Sequence, residues 1–556
     1  MFSTSFLSSP SNIAGGVALG FVFLTCWKLI RRFVVRQSLD NLPGPPSVSF
    51  ATGCLTQLFN RHAWDYHQHL ADNFAGVVKI KGLFGANCLY VHDPKALHHI
   101  LLKDQYIYEE TETMIQMNKV MFGEGIFTSL GERHRLQRKM LNPVFSIAHM
   151  RRMVPIFYEV SRRVHNTFVQ IAKRGGDQEI NIIDWMTRLA LELIGQSGLG
   201  FSFDSLAEGT EPHPYGIASK MLVSIASEGS HFSGLLAPIV AKFEHHPRLG
   251  RWIVDRIPGL APMRFIVDTL NKTAEEIIAD KKKAILGGDD ALKDQIGEGN
   301  DVISILMRAN MFVPEEEKLS EKELHGQVTS LTFAATDTTS GALTRTLHLL
   351  AMHKDAQEKV RKEIQEARKE CGGEDIPYDT LVHLPYLDAV CRETLRLYPP
   401  LTVINRTTRA DVILPLGNPV KGIDGKEIHE LEIPNGTDVF ISIIASNRNP
   451  EYWGPDALEW KPERWLGTLP QALVDAHIPG IYSNLLTFLG GGRACIGFKF
   501  SQLEMKAALA LLLEDLEFSL PTGKEIYWQM NAITAPNTDL NGKVPTMPLK
   551  VTYLGK

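Results

Sequence analysis

Along most of the chain, apolar residues return every three or four positions, the period of a helix with one buried face. The strongest such run opens at Ser320. Glu323 completes a capping box there, and Leu324, Val328, Leu331 and Ala335 follow, predicting a helix over 320–355. Asp355 to Glu370 predicts a charged, amphipathic helix closed by Gly372-Gly373. Leu387 to Leu397 predicts another, stopped by Pro399-Pro400, and Gly497 to Asp515 a further one. Between 401 and 443 the apolar positions alternate instead. Turn signals stand at Asp424-Gly425 and Pro434-Asn435-Gly436, so this stretch predicts short strands. A long surface loop is expected over 286–300. There is no internal repeat, low-complexity segment or second linker. The pattern predicts one mainly α domain with small β-sheets over 47–556.

The N-terminus breaks the pattern. Ile13 to Ile30 is apolar except for Thr25 and Lys28, long enough to span a bilayer with help from its flanks. Residues 1–12 carry no charged side chain, whereas Arg31, Arg32 and Arg36 follow the apolar run. A secretory signal has the opposite order. The expectation is an uncleaved anchor over 13–30 in the endoplasmic reticulum membrane, with 1–12 luminal and the rest cytosolic. On that topology the sequons at Asn271, Asn405 and Asn435 stay unmodified. Residues 31–46 form a basic, Pro-rich hinge ending in Leu42-Pro-Gly-Pro-Pro46, semi-rigid because proline fixes φ.

Composition adds exclusions. A chain of 556 residues with 44% hydrophobic and 22% charged residues can bury a large core and a large cofactor within it. The net charge of -5 shows no basic excess, so no nucleic-acid partner is expected. Six cysteines, widely spaced and without a CxxC, suit a reducing compartment.

The chemistry gathers at Phe488-Leu-Gly-Gly-Gly-Arg-Ala-Cys495-Ile-Gly497. Three glycines would let backbone approach something flat and bulky. Cys495 stands at a predicted helix start, where free N–H groups and positive partial charge favour a thiolate. A lone cysteine is more often plain core, and Phe488 can be so too. Phe488, Gly491, Arg493, Cys495 and Gly497, however, match the haem-binding signature of the cytochrome P450 superfamily position by position, and the chain resembles that family over nearly its whole length. The resemblance implies the family's prism-like fold behind one transmembrane helix. It also implies haem b (iron protoporphyrin IX) with Cys495 as proximal ligand, Arg493 on a haem propionate and Phe488 near the thiolate.

Further matches follow from it. Glu393-Thr-Leu-Arg396 puts acid and base on one helix face, but Glu132/Arg135, Glu159/Arg162 and Glu358/Arg361 share that spacing, for which an exposed pair is the default. The resemblance selects Glu393 and Arg396, and adds Arg464 as third member of a structural network fixing the cysteine loop. Asp337-Thr338 matches the acid–threonine pair that delivers protons to dioxygen, although a mid-helix threonine usually bonds back to its own helix. Ala335 departs from the family's common glycine, and its methyl could narrow the oxygen groove. His134 and Arg138 resemble a helix whose side chains hold propionates, with His134 where the family has tryptophan. Arg406 resembles another propionate arginine. Arg135 and Lys139, one place further along, would face outward to dock an acidic reductase.

The implied activity is monooxygenation of a lipophilic small molecule with NADPH electrons from a separate cytochrome P450 reductase, with cytochrome b5 as a second possible donor. No Gly-x-Gly-x-x-Gly opens a βαβ unit for NADPH in this chain. Ile126-Phe127, 235–240, Val403-Ile404 and Ala532-Ile533 are apolar where substrate would lie, though each also suits simple core. The chain is most similar to fungal microsomal members, many of which decorate terpenoids. Two other readings remain at this point: an oxygen-independent haem-thiolate isomerase or dehydratase, and a non-catalytic haem sensor or carrier.

Overall fold

The computed structural model describes residues 38–175, 178–223, 225, 252, 256, 261–288 and 296–555. The expected anchor at 13–30 and the apolar stretch 235–240 lie outside the described residues. Among the described residues no helix is long and apolar enough to cross a membrane.

Among the described residues the strands, most of them short, are β1 (Val77–Lys81), β2 (Asn87–Val91), β3 (Tyr108–Glu109), β4 (Glu179–Asn181), β5 (Val403–Thr408), β6 (Val412–Lys421), β7 (Glu427–Ile433), β8 (Asp438–Ser442), β9 (Leu516–Ser519), β10 (Tyr527–Gln529), β11 (Ala535–Asn537) and β12 (Pro548–Tyr553). The main sheet has the order β1-β2-β8-β5-β3, with β2 parallel to β8 and the other pairs antiparallel. β6 and β7 form a separate hairpin whose turn holds Gly425 at φ 84°, a left-handed value glycine adopts without strain. All four strands between 401 and 443 therefore appear where the alternation predicts them.

The helices that build the site are α1 (Gly131–Leu141), α2 (Ile147–Lys173), α3 (Ile182–Leu193), α4 (214–223), α5 (Glu321–Met352), α6 (Lys354–Glu370), α7 (Pro385–Leu397), α8 (Ile443–Arg448) and α9 (Phe498–Asp515). α5 is the axis of the fold. The Ser320–Glu323 capping box is present, and α3, α7 and α9 all pack against the helix. It ends at Met352, three residues before the predicted stop, because α6 starts anew at Lys354. Most of α5 is buried all round, as a central helix must be. Of the loop expected over 286–300, residues 289–295 lie outside the described residues, while helix runs from Ala261 to Gly287 and Ile296–Gly299 is a 3₁₀ turn.

Distant segments close the molecule. Trp64 donates its indole N–H to the Trp528 carbonyl at 2.6 Å. Beside it the fully buried Arg345 guanidinium lies between the rings of Trp528 (3.5 Å to the centroid) and Tyr398 (4.0 Å).

Candidate functional site

The cysteine loop is held by backbone. Cys495 N–H donates to the Phe488 carbonyl at 2.9 Å, while Phe488 is buried against Tyr482 and Phe498. The glycines do other work than expected. A Cβ on Gly490 would sit 1.7 Å from the Pro479 carbonyl oxygen, and one on Gly491 would sit 1.9 Å from that of Leu101. These two residues admit neighbouring backbone and leave no room for a ligand. At Gly497, by contrast, an added Cβ meets nothing within 4 Å. Open space therefore begins past the sulfur.

Cys495 keeps an accessible face while Ala494 beside it is buried. Burial nevertheless pushes its thiol above the ordinary value, against the Gly497 N–H and the Arg138 guanidinium, which favour the thiolate. Accessible surface on a sulfur that desolvation still governs means that it borders a hollow. The expected thiolate stabilisation by the helix start is thus outweighed in the protein alone, because desolvation penalises the charge more. A metal that binds only the deprotonated sulfur supplies the difference.

α5 shows a matching unpacked stripe. Ala334, Ala335 and Thr338 are only half-buried, one face of a helix whose other sides are sealed. Thr338 donates to the Ala334 carbonyl at 2.7 Å, the back-bond usual for a mid-helix threonine, and its oxygen can still accept. Asp337 is buried and receives the Ser219 hydroxyl from α4. Burial pushes its carboxyl up to about 6, with Ser219 and Lys220 pulling it down.

Four nitrogen-bearing side chains converge beside the loop. Arg138 donates to the Ala494 carbonyl. Arg493 meets Glu109 at 3.0 Å and the Ser129 carbonyl at 2.8 Å, and Arg406 meets Glu110 at 3.0 Å. His134 is buried among these three arginines and held down to about 3, by burial first and then by their charges. It is neutral and can donate one ring N–H. Three arginines face two glutamates, leaving one positive charge over for an anionic group. With the hollow, the accessible sulfur and this excess cation, the residues fit a haem with two propionates. α1 is fixed in this place from below: Arg133 and Gln137 both donate to Glu323 in the first turn of α5.

Arg135 and Lys139 point outward as predicted, 70% and 75% exposed, and pair only with Glu132 and Glu317. Among the four Glu-x-x-Arg spacings, Glu393 and Arg396 alone are both fully buried, joined twice at 2.8 Å. Arg464 reaches Glu393 at 3.3 Å but holds Asp456 more closely at 2.8 Å. Glu132–Arg135 is the exposed pair expected, whereas the other two spacings differ. Arg162 pairs with Asp375 instead of Glu159, and Arg361 is buried beneath a half-exposed Glu358.

Several site residues escaped the sequence reading. Asn447 accepts Arg396 on its carbonyl, donates to Thr487 and accepts from Leu486 N–H on its side chain. It is the bridge from Glu393–Arg396 to the cysteine loop. Its one sequence signal is a polar residue two places past the apolar Ile443-Ile444-Ala445. Glu109 and Glu110, which oppose the arginines, and Ser219 carry no local signal. The apolar candidates split: Ile126 and Ile533 are buried, Phe127, Val403 and Ile404 half-buried, and Ala532 exposed.

A family model described as Cytochrome P450 matches residues 43–538. Cytochrome P450 monooxygenase 91 of Postia placenta is 51% identical, over 94% of this chain and 96% of its own length. Ganoderic acid synthetase CYP5150L8 of Ganoderma lucidum is 42% identical, over 97% and 98%. Cytochrome P450 monooxyhenase eriI of Hericium erinaceus is 36% identical, over 98% and 99%.

Proposed function

The chain belongs to the cytochrome P450 family, and from that premise we propose that it is a membrane-anchored monooxygenase of lipophilic secondary metabolites, with Cys495 as its haem ligand. The net reaction is RH + O2 + NADPH + H+ giving ROH + H2O + NADP+. When bound, the haem supplies dioxygen activation, which the electron-rich thiolate favours. Arg138, Arg406, Arg493 and His134 hold its two carboxylates. Thr338 and Asp337 orient water and move protons from solvent toward the hollow beside Ala334. Arg135 and Lys139 receive an acidic flavoprotein reductase from the cytosol, and residues 13–30 anchor the chain in the endoplasmic reticulum membrane.

The substrate class rests on two supports. The half-buried Phe127, Val403 and Ile404 offer apolar surface, and a relative named for ganoderic acid synthesis is similar over nearly the full length. A terpenoid is the favoured member of that class.

The observation that carries the reading is the accessible face of Cys495, between buried Ala494 and half-buried Ile496 and beside four converging donors. The reduced carbon-monoxide complex should show the thiolate absorbance, and Cys495→Ala should abolish it. Persistence of that band in a mutant retaining its haem would falsify the assignment.

A further inference from the structure

Asp337 finds its one hydrogen-bond partner outside its own helix. α4 lies across α5, and two side chains one turn apart on α4 reach it. The Tyr215 hydroxyl donates to the Thr329 carbonyl at 3.3 Å, and the Ser219 hydroxyl donates to Asp337 Oδ2. Ser219 is fully buried and Asp337 nearly so. The second oxygen, Oδ1, makes no hydrogen bond to the described residues. Lys220, the next residue along α4, turns toward α3 and pairs with Asp184, which also accepts from Asn181. That pair is open to solvent, with side chains 20% and 49% exposed.

A carboxylate that accepts one fixed hydroxyl is held in one rotamer, and a hydroxyl can accept a proton as well as donate one. Burial raises the Asp337 carboxyl, while Ser219 and the Lys220 charge lower it. Tyr215 is the other titratable group acting here. Its hydroxyl is pushed far above its ordinary value by burial and stays neutral. Glu504, on α9, meets Thr339 and not Asp337.

We propose that Ser219 is a positioning residue for Asp337: its hydroxyl, supplied by a separate helix, fixes one carboxylate oxygen and leaves the other for the water that passes protons toward Thr338. This rests on the reading of Asp337 and Thr338 as the proton-delivery pair. A merely structural serine would satisfy a buried acceptor and do no more, so the test must separate the two.

Full-length protein with its reductase and NADPH, without added substrate, is assayed for hydrogen peroxide per NADPH. Ser219→Ala should raise that ratio at least about two-fold at unchanged haem content. Ser219→Thr should restore it, and Ser219→Cys, a weaker donor, should fall between. An infrared titration of the Asp337 carboxyl, taken as the difference from Asp337→Asn, should move upward in Ser219→Ala with no turnover at all. Asp337→Asn should raise the peroxide ratio by itself, and adding Ser219→Ala should change nothing more. If Asp337→Asn uncouples but Ser219→Ala leaves both readouts unmoved, the positioning role is wrong and the proton-delivery pair stands. Additive effects would mean that Ser219 acts elsewhere, and an inert Asp337→Asn would remove both readings.

Discussion

Thr338 and Thr339 are neighbours with opposite surroundings. Thr338 opens on the unpacked stripe of α5 and shares its hydrogen with the Ala334 carbonyl. Thr339, turned about 100° away, is buried beside Glu504, whose carboxyl burial pushes well above the usual range. Thr338→Ala should therefore keep haem content and NADPH consumption but lower product per NADPH, with the difference appearing as hydrogen peroxide. Thr339→Ala should leave that ratio alone, because the Thr339 hydroxyl is buried off the stripe and makes no hydrogen bond to the described residues. Assays of product, peroxide and NADPH on both variants decide this, and stronger uncoupling by Thr339→Ala would show that the helix register is misassigned. At this scale the sequence was legible where the chemistry is local: the Gly-Arg-Ala-Cys loop lies within ten residues, and Asp337-Thr338 are adjacent. It was silent where partners come from elsewhere. Ser219 meets Asp337 across 118 residues, and Glu109 meets Arg493 across 384. Nothing in either neighbourhood marks the pairing.

Between elements, α7 acts through contacts that the Glu-x-x-Arg spacing alone could not distinguish. Glu393 accepts from Nε and Nη2 of Arg396, the Trp465 indole and the Lys461 N–H. Arg396 passes on to Asn447 of α8, whose side chain grips Leu486 and Thr487 just before Phe488. Removing Glu393 leaves Arg396 buried without its counter-charge, whereas Arg464 keeps Asp456. Glu393→Ala should cost about 3–5 kcal/mol and impair haem incorporation. Glu132→Ala should cost about 1 kcal/mol or less, since Glu132 and Arg135 are both largely exposed. Denaturant titrations with haem quantified measure both, and equal losses would mean that the wrong pair was chosen. Helix and strand positions were legible because periodicity is a local property, down to the Ser320 cap. The 286–300 loop was overextended because a glycine pair reads as a stop, while the preceding helix continues to Gly287.

Over the whole molecule, the folded body begins earlier than the hinge expected over 31–46 suggests. Leu39 and Leu42 are fully buried, and the Asp40 carbonyl accepts Lys79 at 2.8 Å, so residues 38–46 are already part of the body. A chain lacking residues 1–37 should fold, bind haem and leave the membrane more readily. One lacking residues 1–40 should lose stability through Leu39, by about 2–5 kcal/mol if it behaves as a deleted core leucine. Haem content and melting temperature of the two truncations separate these outcomes. The contact between Trp64 and Trp528 carries a different consequence, one of timing. Those residues are 464 apart, so the indole hydrogen bond, like the arginine sandwich beside it, waits for nearly the entire chain to be made. At about 5–20 residues per second of synthesis, the helix that carries Trp64 leaves the ribosome roughly half a minute to a minute and a half before the strand that accepts its indole.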